Sequence, residues 1–228
     1  MRSKLISIAL VLMLSAPLAI GQSTEKGKMS FAILGGVNFQ NLTGLDNNGD
    51  KLTNDMLVGF HAGVNIQVPI APEFYFQPGL LFTTKGAKNS YGSSTGTYKL
   101  SYIEVPFNLV YKGAIGDGFV MLGFGPYIGF GTGGKSSIIN GSTTYEKDIV
   151  FKSTVESGDD LFTAYFKSFD AGANILAGYE MGGGLFLQLN AQLGLMKINP
   201  ADDRIIQVYS DKLSIKNTGF GLTLGYRF

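Results

Sequence analysis

Few residues in this sequence could carry chemistry. His61 is the only histidine. Beside a hydroxyl nucleophile and an acidic group it would make a hydrolase or an acyltransferase. No serine lies in the flanking segments 57–68 and 74–85, so His61 is expected to be a hydrogen-bonded polar residue and the protein is not expected to be an enzyme. Asp46-x-Asn48-x-Asp50 begins like a calcium loop, but Lys51 stands where glycine is needed and Leu57 where the closing glutamate belongs. A solvated loop is expected instead. Gly123, Gly125 and Gly129 have the wrong spacing for a dinucleotide fingerprint, and no helix is expected after them. With no cysteine there is no disulfide, no thiolate metal site and no lipid-modified N-terminal Cys. No catalytic residue, cofactor or metal is therefore expected.

The elements that would carry these residues are strands. The chain has 228 residues with 32 glycines, 7 prolines and 15% charged residues. So much glycine without a collagen period argues against a helical bundle and suits tightly twisted strands. Period-2 alternation runs through eight segments: 31–42, 57–68, 74–85, 100–112, 119–131, 169–181, 185–195 and 217–228. In the last, Phe220, Leu222, Leu224, Tyr226 and Phe228 oppose Gly219, Gly221, Thr223, Gly225 and Arg227. The connections after the second, fourth and sixth segments are short. Those after the first, third, fifth and seventh (43–56, 86–99, 132–168 and 196–216) are long and polar. Asn140-Gly141 within the longest is a hairpin signal, so strands on either side of it are expected to extend beyond a membrane.

Alternation alone does not say which face is outside. The polar face is Gly, Asn, Gln and Thr with few charges, whereas a solvated surface would carry roughly 25–35% charged residues. The apolar face is therefore placed against lipid, and strands can cross lipid only as a closed cylinder. The fold expected is all-β: an eight-stranded antiparallel up-and-down transmembrane β-barrel. Short turns and both chain ends would lie at the periplasmic rim. Aromatics sort into two girdles, one including Phe31, Phe74, Tyr226 and Phe228 and the other Phe39, Phe60, Phe130 and Phe169. Lys85, Glu104, Asp170, Glu180, Arg227 and His61 would form a polar network in the lumen, since an unpaired buried charge is costly.

The N-terminus reads as an export signal. Arg2 and Lys4 precede an apolar run from Leu5 to Leu14, and Ala19-Ile20-Gly21 is a cleavage site. Residues 1–21 form a cleaved signal peptide and 22–228 the barrel domain, starting at Gln22. Arg2 and Lys4 are two of the 18 basic residues, so 16 remain against 17 acidic, a charge of −1. That balance gives no footprint for nucleic acid.

Several stretches together resemble one family. They are Gly35-Gly36-Val37-Asn38-Phe39, Gly59-Phe60-His61-Ala62-Gly63, Gln77-Pro78-Gly79-Leu80-Leu81, Tyr102-Ile103-Glu104-Val105-Pro106, Gly125-Pro126-Tyr127 and the closing Gly221-Leu222-Thr223-Leu224-Gly225-Tyr226-Arg227-Phe228. In this order they are similar to the PorT-like outer-membrane β-barrel proteins of the Bacteroidota. The resemblance implies an eight-stranded barrel in the cell outer membrane of a Gram-negative envelope, in a family whose founding member is linked to protein secretion. Tyr226 and Phe228 resemble the C-terminal signal read by barrel-assembly machinery. Three functions stand open: a structural or interaction barrel acting through its outer loops, with a link to secretion or the envelope; a narrow channel or small-ligand binder; and, least supported, a membrane hydrolase or acyltransferase. Expected partners are outer-membrane lipid and lipopolysaccharide, the assembly machinery, and an extracellular or periplasmic protein.

Overall fold

The computed structural model describes residues 28–92, 94–204 and 212–228. The expected signal peptide 1–21 and the start at Gln22 lie outside the described residues. Thirteen strands are described: β1 (Ser30–Leu45), β2 (Asp55–Ala71), β3 (Phe74–Tyr91), β4 (Ser94–Ile115), β5 (Gly118–Asn140), β6 (Thr143–Asp148), β7 (Val150–Phe151), β8 (Thr154–Val155), β9 (Tyr165–Phe166), β10 (Phe169–Met181), β11 (Leu185–Gly194), β12 (Ala201–Asp202) and β13 (Ser214–Arg227). β1 to β5 pair in sequence, β5 pairs with β10, then β11 and β13 follow, and β13 returns to β1. All of these pairings are antiparallel, and the ring of eight closes through Ala32↔Arg227 to Leu45↔Ser214. Closure gives each strand a partner on both sides, so no backbone edge faces lipid.

The two faces follow the alternation. Phe124 and Leu189 point outward and are each 62% exposed, while their neighbours across the pleat are glycine, asparagine and glutamine. An outer wall of leucine, isoleucine and phenylalanine is stable only against hydrocarbon. Among the described residues no helix is long and apolar enough to cross a membrane; the crossing is made by strands.

Three connections at one rim are tight: Pro72-Glu73, Gly116-Asp117 and Gly182 to Gly184. By the rule for outer-membrane barrels this rim is periplasmic. The opposite rim differs from the sequence expectation in two places. Residues 86–99 are not a loop: β3 and β4 run on as a paired ribbon up to Tyr91↔Ser94. Gly86 permits this, at φ 140, where a Cβ would lie 1.8 Å from the Tyr98 carbonyl oxygen. In the segment 132–168 the expected hairpin forms, with Gly141 and Ser142 between the paired Asn140 and Thr143. β5 extends as expected, paired with β4 on one side, but on its other side it pairs with β6 and not with the next barrel strand, which begins only at Phe169.

Beyond β6 the chain folds back over the barrel mouth through two short parallel pairings, β7 with β9 and β8 with β12. Ile149, Phe166 and Ile198 from these loops pack on Leu42, Ala87, Leu100 and Tyr102 from the strand ends. This is an apolar plug at the outer mouth of the lumen.

Candidate functional site

The sequence-expected polar residues converge in the lumen, in clusters along its length. At the periplasmic end Glu180 on β10 is the hub. Lys112 Nζ donates to its Oε1 at 2.7 Å and Arg227 Nε to its Oε2 at 2.9 Å. Arg227 also donates to Asn65 Oδ1 at 3.1 Å, and Lys112 to Gln67 Oε1 at 3.3 Å. Side chains from β2, β4, β10 and β13 thus meet across the lumen. Beside them Ala32, Val110, Met121, Leu176 and Phe186 form an apolar cluster, with Phe186 in register with Glu180 and Met121 with Lys112. Phe186 fits because residue 225 is glycine: a Cβ there would lie 2.2 Å from its ring.

The middle layer holds His61. Its Nδ1 lies 2.6 Å from Asn38 Oδ1 and its Nε2 2.8 Å from Thr223 Oγ1. Gly36 makes room for the ring, since a Cβ there would sit 2.8 Å from His61 Cε1. Thr223, His61 and Asn38 stand in the order nucleophile, base and orienting group. Two features work against catalysis. The Thr223 hydroxyl gives its proton to Asn190 Oδ1 at 2.8 Å. The cavity beside it measures about 70 Å³, well below the roughly 300–1,000 Å³ of a ligand pocket. It has room for a handful of water molecules meeting carboxamides and hydroxyls.

The next layer outward centres on Lys85, which is fully buried. Its Nζ lies 2.8 Å from Glu104 Oε2 and 3.1 Å from Asp170 Oδ2, and 4.3 Å from the centre of the Tyr127 ring. Asp170 Oδ2 also accepts from Tyr127 Oη at 3.2 Å and from Asn217 Nδ2 at 2.9 Å. Glu104 Oε1 accepts from Gln192 Nε2 at 2.7 Å. Glu104 Oε2, Asp170 Oδ1 and Asn217 Oδ1 are buried with no hydrogen bond of their own among the described residues. The Glu104–Lys85 contact is therefore an ion pair without hydrogen-bond alignment.

The six residues expected in the lumen all lie there, but not in one network. Lys85, Glu104 and Asp170 form one cluster, Glu180 and Arg227 another, and His61 stands between them. Lys112 was missed, although it shares the parity of Glu104 and Asn108 on its strand. The plug residues Ile149, Phe166 and Ile198 had no signal, because they lie in irregular loops. Tyr226 and Phe228 face outward at the periplasmic rim, where Phe228 stacks on Phe31 with ring centres 4.7 Å apart. The Asp46 loop is a self-capped turn, with Asp46 Oδ1 accepting from the backbone N–H of Asn48 and of Asp50. Among the described residues no group of three His, Cys, Asp or Glu side chains could hold a metal.

A closed antiparallel cylinder with an apolar exterior and a paired polar interior defines a membrane-spanning β-barrel. The chain belongs to the outer membrane protein beta-barrel domain family, which it matches over residues 20–199; it resides in the outer membrane. No curated protein matches it. Among solved structures it is similar to Ail, the attachment invasion locus protein of Yersinia pestis, in complex with the heparin analogue sucrose octasulfate. That likeness has 14% identity and a TM-score of 0.41, and covers 89% of this chain and 100% of Ail. A second Ail structure gives 10% identity and a TM-score of 0.36, covering 87% and 99%.

Proposed function

We propose that this protein is a non-enzymatic interaction barrel that works through its outer loops, within a PorT-like branch of the family and with a role in the envelope or in secretion. The observation that carries this reading is the lumen filled with side chains. The Glu180 hub with Phe186 and Met121 beside it, the Lys85 cluster and the loop plug fill successive stretches of the interior with side chains. Eight strands enclose an interior that side chains fill. What remains available is the outer surface. Leu161 and Phe162 are 75% and 82% exposed there, and Ile138, Tyr145 and Phe162 line an apolar hollow beside β6. A protein partner docks there, while outer-membrane lipid, lipopolysaccharide and the assembly machinery are the partners of the barrel itself. Residues 1–21 direct export and are removed, and Tyr226 and Phe228 serve as the assembly signal.

Purified protein in planar bilayers tests whether the filled lumen is closed: no steady conductance is expected. A steady opening would favour the narrow channel and overturn this reading. A tag placed at Gly141 then allows capture of cross-linked partners on intact cells, and Leu161→Ser with Phe162→Ser is expected to abolish a capture that the wild type supports.

A further inference from the structure

Three lysines stand on neighbouring segments of the outer rim, with no ion-pair partner among the described residues. The Lys167 N–H donates to the Ile198 carbonyl at 2.7 Å, and the Ile198 N–H donates to the Ile215 carbonyl at 2.8 Å. This row brings together the start of β10, the segment after β11 and the start of β13. Phe166 and Ile198 are buried in the plug, and Ile215 packs against it. Each is followed or preceded directly by a lysine: Lys167, Lys197 and Lys216. Lys216 shares the outward parity of Thr218 and Phe220 on β13, Lys167 leads into the outward Phe169 from the buried Phe166, and Lys197 is exposed beside the buried Ile198, so the three lysines share the outer side of the rim. None lies within ion-pair distance of a carboxylate among the described residues, whereas Lys135, Lys147 and Lys152 in the neighbouring loops all do.

Directly below this row, toward the membrane, the exposed side chains are apolar: Phe169, Leu195, Met196 and Phe220. Lys167 is two residues beyond Phe169, and Lys197 two beyond Leu195. At about 3.3 Å per residue that puts the charges a few ångströms above the hydrocarbon boundary, at the depth of lipid headgroups. Like charges on adjacent strands repel one another unless an anion lies between them.

We infer that Lys167, Lys197 and Lys216 form a clamp for the phosphate of an outer-leaflet lipid, whose acyl chains lie along Phe169, Leu195 and Phe220. Charge complementarity selects the phosphate, and the apolar wall beneath selects a lipid over a soluble anion. The proposal needs the outer-membrane location but no loop partner.

Native mass spectrometry on the full folded chain in detergent tests it, with bisphosphorylated lipid A as the probe. Retention of the lipid is expected to fall about fivefold per lysine changed to Gln and about a hundredfold for K167Q/K197Q/K216Q, following the typical surface contribution of each lysine. The same lipid stripped of its phosphates should be retained no better by the wild type than by the triple variant. Lys88→Gln with Lys99→Gln, elsewhere on the rim, should change nothing. Equal loss in that control would mean diffuse attraction and overturn the clamp, as would competition by inorganic phosphate at the lipid's own concentration. Migration shifts on heating, read on unboiled gels, report barrel closure separately. A variant that stays closed yet keeps the lipid refutes the clamp, and a wild type that never closes refutes the barrel instead.

Discussion

The two charge clusters of the lumen use the same chemistry with opposite excess. Near the periplasm one carboxylate, Glu180, holds two cations, and each of its oxygens has its own donor. Near the outer mouth one ammonium, Lys85, holds two carboxylates, and an oxygen on each lacks a hydrogen bond among the described residues. Among the described residues the buried charges are three of each sign, so the lumen as a whole is neutral. The difference lies in what each hub protects against. Without Glu180 two cations face each other, while without Lys85 two buried anions do. The outer cluster is also the drier, since Lys85 and Asp170 are both fully buried whereas Lys112 and Arg227 keep slight exposure.

The largest effect is expected at the drier hub. Lys85→Met should destabilise the barrel by about 3–5 kcal/mol, the cost of leaving a buried charge uncompensated. Denaturant unfolding in lipid vesicles measures it, and a loss below that of any periplasmic variant would reverse the ranking. Glu180→Gln is expected to cost about 2–3 kcal/mol by the same assay, because charge-assisted bonds to Lys112 and Arg227 weaken while both cations keep neutral partners such as Asn65 and Gln67. Asp170→Asn separates excess charge from simple burial. It leaves Lys85 and Glu104 as a balanced pair, so stability should change by no more than about 1 kcal/mol. A loss as large as that of Lys85→Met would mean that the excess carboxylate is itself required.

The smallest effect belongs to a pair in water. In the loop beyond β6, Lys147 Nζ donates to Asp160 Oδ2 at 2.6 Å. That bond, with bonds from the Thr163 hydroxyl and the Phe162 N–H, lowers the Asp160 carboxyl to about 2. A carboxyl held below its ordinary value stabilises its fold above the ordinary carboxylate range, and the gain fades as pH falls toward 2. Hydrogen exchange at the Phe162 amide should therefore stay slow down to about pH 4 and lose protection between there and pH 2. Barrel closure should not change over that window, because the Asp160 loop lies outside the ring.

Much of this arrangement was legible beforehand. The segment 217–228 alternates glycine, threonine and arginine with phenylalanine, leucine and tyrosine, and β13 buries the first set and exposes the second as read. The rims were legible as well, from Pro72-Glu73 and Gly116-Asp117 against the long polar connections. The hairpins beyond the membrane were only partly so. Residues 86–99 carry polar strand residues on both faces, and alternation gives no signal where neither face meets lipid.

Alone, the sequence determined which side chains face in and which face out, because that choice is local: successive residues of a strand point to opposite faces. The scarcity of inward charge then set the surroundings of the wall. Which inward residues meet was decided by the closed ring. The stagger between strands brings Asp170 to Lys85, 85 residues away in the chain, and leaves Glu180 with Arg227 at the other end. The apolar packing at the outer mouth was likewise decided in three dimensions. Ile149, Phe166 and Ile198 come from separate irregular segments and gain their burial only when those segments fold over the same opening.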